Sequence, residues 1–284
     1  MDQLVDRAQK TINSLPGETD DVTAARAQLL DVLSLAHFAL GNILDAQKFG
    51  EDELKLANAL VAKAPANPRW KRLEAAAHGR LSDVLYWKGD PVGALREGSL
   101  GRDISAALVA AQPDDDELQR DLSNQYRRMG DGFDSKGDLE DARAAYRPWV
   151  EIAMAQLAKT HDDPKWLSSL AFAHREIGDT LAQESRPAEA AIEYRSSVQI
   201  SSQLVMRFPR NTAYLYTLAS SRLRVGDALL AQGESASALV EYQATKVVCT
   251  VFNTDNPEIL VLPIGRPYLS IDGDVEFASD EKLE

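Results

Sequence analysis

The sequence predicts an all-α protein: about five antiparallel helix hairpins in series, followed by a non-helical tail. Three observations carry this. The 284-residue chain matches itself at an offset of 48 without a gap, placing Asp83, Asp131, Asp179 and Asp227 in one column and Gly130, Gly178 and Gly226 in the column before it. Ala94, Ala142, Ala190 and Ala238 form a further column, as do Tyr146, Tyr194 and Tyr242. Apolar residues recur at helical spacing within each period, as in Trp166, Leu170, Ala173, Ile177 and Leu181. Helix-start and helix-stop residues then recur at fixed places in every unit.

Taken in order, a lone helix at about 2–15 closes at Pro16-Gly17. In phase it is the second helix of a unit, so the chain is expected to open mid-repeat. First helices are expected near 20–39, 68–88, 116–136, 164–184 and 212–232, and second helices near 43–64, 91–111, 139–160, 187–208 and 235–252. The units therefore fall near 20–67, 68–115, 116–163, 164–211 and 212–252. Asn67-Pro68 and Asp163-Pro164 each offer a side-chain acceptor at the N-cap and proline at the first helical position, and Asp115 and Asn211 occupy the same column. Gly89, Gly137 and Gly233 supply the positive φ that the intervening turn demands, where Ser185 breaks the pattern. Pro91 and Pro187 start second helices at once.

These columns resemble the tetratricopeptide repeat. The matching core is Met129-Gly130, Phe133, Gly137, Leu139, Ala142 and Tyr146, recurring as Ile177-Gly178, Leu181, Ala190 and Tyr194, and again as Val225-Gly226, Leu229, Gly233, Ala238 and Tyr242. Small residues let paired helices approach, and large ones fill the gaps between hairpins. The resemblance implies a right-handed superhelix, a solenoid, with the first helix of each hairpin lining a concave groove. This chain departs from the family in length. Its excess of about 14 residues over the family's period of about 34 adds roughly two turns to each helix, which preserves the phase of the apolar faces.

Composition narrows function. Forty-four acidic against 31 basic residues give a formal charge of −13, which repels a phosphate backbone and argues against a nucleic-acid partner. No apolar run approaches the roughly 18 residues that span a bilayer, so no membrane role is expected. The start, Met1-Asp2-Gln3-Leu4-Val5-Asp6, lacks the blocks of a secretory signal, which points to a cytoplasmic protein. Cys249 is the sole cysteine and is expected to be a buried structural thiol. His78 and His174 share a column but stand two repeats apart, while His37 and His161 lie elsewhere, so no shared metal site is expected. No phosphate loop or GxSxG occurs, and neither catalysis nor a cofactor is expected. The always-large column of Trp70, Leu118, Trp166 and Tyr214 reads as packing.

The resemblance implies a non-catalytic protein–protein interaction scaffold, binding a peptide or partner helix in the concave groove. Carried over to this chain, the groove positions include Asp83, Asp131, Asp179 and Asp227, with Arg127 and Arg175 one turn earlier. Asn124, Phe172 and Ser220 neighbour them, as do Tyr86, Trp87 and Asp134. One reading is a ladder of carboxylates receptive to a basic or amide-rich partner, with Asp83 and Asp227 unpaired. The other is that Arg127–Asp131 and Arg175–Asp179 are ordinary i,i+4 pairs and that each Asp bonds the adjacent repeat. Tyr86 and Trp87 stand where other repeats vary, as an aromatic hot spot or as packing on the preceding hairpin. By analogy with long-repeat arrays, an alternative function is a regulatory or sensor module of a larger bacterial-type signalling or effector protein.

From 253 the repeat is expected to stop. The segment Pro257–Tyr268 is apolar and proline-studded, hence extended, and 253–284 carries eight acids against two bases. Asp272-Gly273-Asp274 is too short for a calcium loop. Such a tail could cap the array, act as a linear motif, or mediate self-association.

Overall fold

The computed structural model describes residues 19–255, a few positions before residue 19, and the pairs 268–269 and 275–276. Most of the lone helix expected near 2–15 and most of the tail lie outside the described residues, as does the side chain of Cys249; positions 7, 10, 11 and 14 are described and helical. The described chain is all-α up to residue 255, a succession of antiparallel hairpins: α1 (Asp20–Ala39) with α2 (Ile43–Lys63), α3 (Pro68–Lys88) with α4 (Pro91–Ala111), α5 (Asp116–Lys136) with α6 (Leu139–Thr160), α7 (Pro164–Gln183) with α8 (Pro187–Arg207), and α9 (Thr212–Ala231) with α10 (Ser235–Asp255). α10 runs three residues beyond the expected boundary at 252. Two short strands, β1 (Tyr268–Leu269) and β2 (Val275–Glu276), pair antiparallel.

Local chemistry sets the helix ends. The Asn67 carboxamide accepts from the Arg69 N–H at 3.0 Å, Asp115 from Glu117 and Leu118, Asp163 from Lys165 and Trp166, and Asn211 from Ala213 and Tyr214. Each cap satisfies amides that the first turn leaves orphaned. Gly89, Gly137 and Gly233 take φ of +82°, +84° and +81°. The N–H that follows each glycine closes the turn on a carbonyl five residues back, as Asp90 does on Leu85 at 2.9 Å. Ser185 adopts φ +60° in the same role, without glycine's freedom.

The chain divides into two compact units, 1–156 and 157–284. In the first, α1 to α5 pack successively, and the first helices α3 and α5 also touch. Trp70 is buried with Ala24 and Leu60, and Leu118 is buried as well. In the second, Leu181, Ala190, Tyr194, Leu223, Val225, Leu229, Ala238 and Tyr242 form one core. Trp166 there is 1% exposed. The packing role expected for the Trp70 column is thus met at Trp70, Leu118 and Trp166, while Tyr214 is half-buried against Phe208.

Candidate functional site

The Asp column is a bonded network rather than a row of open carboxylates. In the first unit Asp83, on α3, accepts two bonds from Arg128 of α5, at 3.0 and 2.9 Å, and one from Arg127 at 3.1 Å. Arg127 turns its other amino group to Asp131 on its own helix, and Asp131 also accepts from the Tyr146 hydroxyl at 2.8 Å. In the second unit Asp179 accepts from the Tyr194 hydroxyl at 2.6 Å and from Arg224 of α9 at 2.9 Å. Asp227 accepts from the Tyr242 hydroxyl at 2.9 Å. The expectation that Asp83 and Asp227 stand unpaired is therefore corrected. Partners about 45 residues ahead, or 15 ahead on the hairpin's other helix, had already claimed them. Arg175 likewise donates to Glu176 and Ser220 rather than serving an i,i+4 pair with Asp179, and its guanidinium lies 4.1 Å from the Phe172 ring centre.

Electrostatics follow that bonding. Burial pushes the Asp83 carboxyl up, but Arg128 and Arg127 outweigh it and hold the group below its usual range. Asp131 and Asp227 are pushed up by burial, which exceeds the relief from Arg127 and Tyr146 at the one and from Tyr242 and Arg224 at the other. The Tyr194 and Tyr242 hydroxyls rise too, first by burial and then by the adjacent aspartate.

The tyrosine columns have a second job. A Cβ placed on Gly178 would lie 2.6 Å from the Tyr194 ring, and Gly130 and Gly226 meet Tyr146 and Tyr242 in the same way. Three hairpins thus close with a ring on a glycine and a hydroxyl on the next residue's carboxylate. The first two hairpins close differently. Ser34 and Ser82, in the glycine column, each donate to a carbonyl of the partner helix, Ala46 and Ala94, at 2.8 Å. Gly50 and Gly98 stand in the tyrosine column, leaving room for Leu81 and for Met129 with Arg128 respectively. Asp83 has no tyrosine of its own hairpin to accept from, and two arginines take its place.

A second recurring link escaped sequence reasoning. His78 bonds Glu97 at 2.8 Å, His174 bonds Glu193 at 2.7 Å, and Arg222 bonds Glu241 at 2.8 Å. Each joins the two helices of one hairpin across a separation of 19 residues, so the signal was available as a pair of columns. His78 and His174 are thus each tied to a glutamate of their own hairpin.

The remaining groove positions divide by exposure. Asn124 is exposed, Asp134 and Phe172 are half-buried, and Ser220 is buried, donating to the Thr217 carbonyl at 3.1 Å. Trp87 is 66% exposed, yet its ring is edge-packed against Phe38 of the preceding hairpin at 6.0 Å and against Tyr86 at 5.6 Å. The packing expected against the preceding hairpin is thus present at Trp87, one face of which stays open. Leu35, one turn before Phe38 on α1, is 47% exposed. Among the described residues no three or more His, Cys, Asp or Glu are grouped to hold a metal, and no helix is long and apolar enough to cross a membrane.

The fold these hairpins make is of the tetratricopeptide-like, helical-repeat kind. The fold is similar to that of BtubC from P. vanneervenii, with a TM-score of 0.64 and 14% identity over 92% of this chain and 93% of that one. A Podosopora anserina putative kinesin light chain with nearly identical TPR-like repeats gives a TM-score of 0.57 and 15% identity, covering 83% of this chain and 99% of that one. A Rap protein complexed with competence and sporulation factor gives 0.58 and 11%, covering 84% and 57%. No family model and no curated protein matches the sequence.

Proposed function

We propose that the protein is a non-catalytic interaction scaffold that holds a peptide or partner helix against its first helices. The observation that supports this most is Trp87. A large ring held rigid by two aromatic neighbours, but left two-thirds exposed, is a pre-organised anchor that loses little entropy on binding. Leu35, Phe38 and Tyr86 extend the apolar surface. Asp83, one turn before Trp87 on α3, is tied through Arg127 to Asp131. The net charge of −13 favours encounter with a basic partner. The Rap protein among the similar folds is one that was crystallised with a competence and sporulation factor, which agrees with peptide capture. We read the repeat as a long, 48-residue variant working in the cytoplasm.

The test is affinity capture with the full chain as bait, comparing wild type with Trp87→Ala/Tyr86→Ala. Partners retained by wild type are expected to be lost from the double variant, which stays folded by circular dichroism but melts lower for want of the contact with Phe38. A folded double variant that captures the same set overturns the aromatic anchor.

A further inference from the structure

The first unit contains a cavity of about 480 Å³ between α1, α2, α3 and α5, bordered by Gln28, Asp31, Glu53, Trp70, Arg72 and Asp121. Its size falls within the roughly 300–1,000 Å³ of small-molecule sites. Glu53 is the unusual member. Its side chain is 1% exposed, and its Oε2 has no hydrogen-bond partner. A buried carboxyl oxygen left unpaired costs about 1–3 kcal/mol or more, so a structure that keeps one at a cavity wall invites a donor from outside.

The charges around it decide which donor. The acids near the mouth already hold the arginines: Arg72 donates to Asp121 and Glu117 at 2.6 and 2.7 Å, and Arg69 to Asp21 at 2.6 Å. Asp31, on α1, accepts from Arg80 of α3 at 2.6 Å. An entering anion would find those cations engaged and would face the carboxylates of Asp31 and Asp121. An apolar molecule would leave Oε2 unsatisfied. A cation bearing N–H groups answers both problems.

We propose that this cavity binds a small organic cation, an alkylammonium or alkylguanidinium, whose N–H groups donate to Glu53 and Asp31 while its chain lies against Trp70 and Leu73. The groups facing Glu53 are Asp31 on α1 and Arg80 on α3, with Arg69 and Arg72 of α3 and Asp121 of α5 around the rest of the wall. Burial, aided by Asp31 and opposed by Arg80, pushes the Glu53 carboxyl up to about 8. Below that pH the empty site holds Glu53 as the neutral acid. Binding then exchanges its proton for the ligand's positive charge: the O–H bond of Glu53 breaks, one proton leaves to solvent, and the carboxylate pairs with the cation. Affinity accordingly rises with pH, by up to tenfold per unit, and levels off above about pH 8. The inference goes beyond the scaffold reading and does not depend on it, because a pure compound replaces partner capture as the readout.

The experiment is calorimetric titration of the full chain with agmatine at pH 6.5 and 8.5, in two buffers of different ionisation enthalpy, with glutarate as the anionic control. Agmatine is expected to bind at least tenfold more tightly at pH 8.5 and to release close to one proton at pH 6.5. Glu53→Gln, which keeps the shape of the side chain, is expected to abolish the proton release and to weaken binding tenfold or more at pH 8.5. No agmatine binding at either pH, equal binding by folded Glu53→Gln, or preference for glutarate overturns the proposal. The wild-type proton count decides the matter even where the variant fails to fold. An acetyl-Gly-Arg-Gly-amide arm distinguishes sources: tighter binding than agmatine assigns the cation to a protein side chain, and weaker binding assigns it to a free amine.

Discussion

Arg128 reaches back from α5 to Asp83 on α3 through two N–H donors, giving that carboxylate what Tyr146 gives Asp131 and Tyr242 gives Asp227. The substitution is chemical as well as geometric. Asp131, with one guanidinium and a hydroxyl, and Asp227, bonded by a hydroxyl, stay raised by burial, whereas two bonded guanidinium groups hold Asp83 below its ordinary range. The same column position is therefore electrostatically different in different hairpins.

Removing that donor tests the point. Arg128→Ala leaves a largely buried Asp83 with Arg127 alone, and a loss of about 1–3 kcal/mol in urea unfolding is expected. The direction with pH follows from the lowered carboxyl. Stability from Asp83 is present above its unfolded value near 3.8 and is lost as pH falls below it. The gap between wild type and Arg128→Ala should accordingly narrow in acid; a gap that widens below pH 4 contradicts the assignment.

Closure of the later hairpins depends on the absence of a side chain at one position. Gly178→Ala drives a methyl into the Tyr194 ring and is expected to cost about 1–3 kcal/mol by overpacking. Trimming the ring as well, in Gly178→Ala/Tyr194→Ala, should cost less than the two single changes summed, because they share one contact. Strict additivity in the melts would show that the two residues do not meet.

Ser185 offers a stabilising change. It holds φ +60°, which a side chain bears at about 1–2 kcal/mol, while Gly89, Gly137 and Gly233 hold the same turn freely. Ser185→Gly is expected to raise stability by roughly 1 kcal/mol, less the entropy glycine adds to the unfolded chain. A lower melting temperature would mean that the serine side chain supplies something the turn geometry does not reveal.

Glu53 gives a pH dependence of the opposite sign to Asp83. Its folded value, about 8, lies above the ordinary 4.5, so the folded chain keeps a proton that the unfolded chain has released. The favourable contribution is fully present below pH 4.5 and drains away as pH climbs to 8, at up to about 1.4 kcal/mol per unit. Glu53→Gln cannot lose that proton. The variant should gain on wild type progressively from pH 5 to pH 8, and a difference independent of pH would refute the burial argument.

Much of the architecture was legible because its signals are local. Asn67, Asp115, Asp163 and Asn211 cap the amides immediately after them, and glycine at 89, 137 and 233 is required by a single φ angle, so the helix ends follow from a few neighbouring residues. The candidate site was less legible. The columns of Asp, Gly and Tyr were visible, but their mutual contact was not. Whether Asp83 is open to a partner depends on where α5 settles against α3, a matter of packing between helices some 45 residues apart in the chain. A hint existed one residue along from Arg127 and Arg175, where Arg80, Arg128 and Arg224 share a column and Glu176 interrupts it.

What the chain's order of residues determined by itself was the repeat, the helices and the faces they bury, since 3.6-residue periodicity, caps and turns act within a few residues of their cause. What only the tertiary structure decided was the bonding state of the charged groups: Asp83 and Asp227 satisfied, Trp87 exposed on an aromatic seat, and Glu53 sealed at a cavity wall with an oxygen unpaired. Those states depend on distance and burial between helices, because the energy of a charge is set by its surroundings rather than by its sequence neighbours.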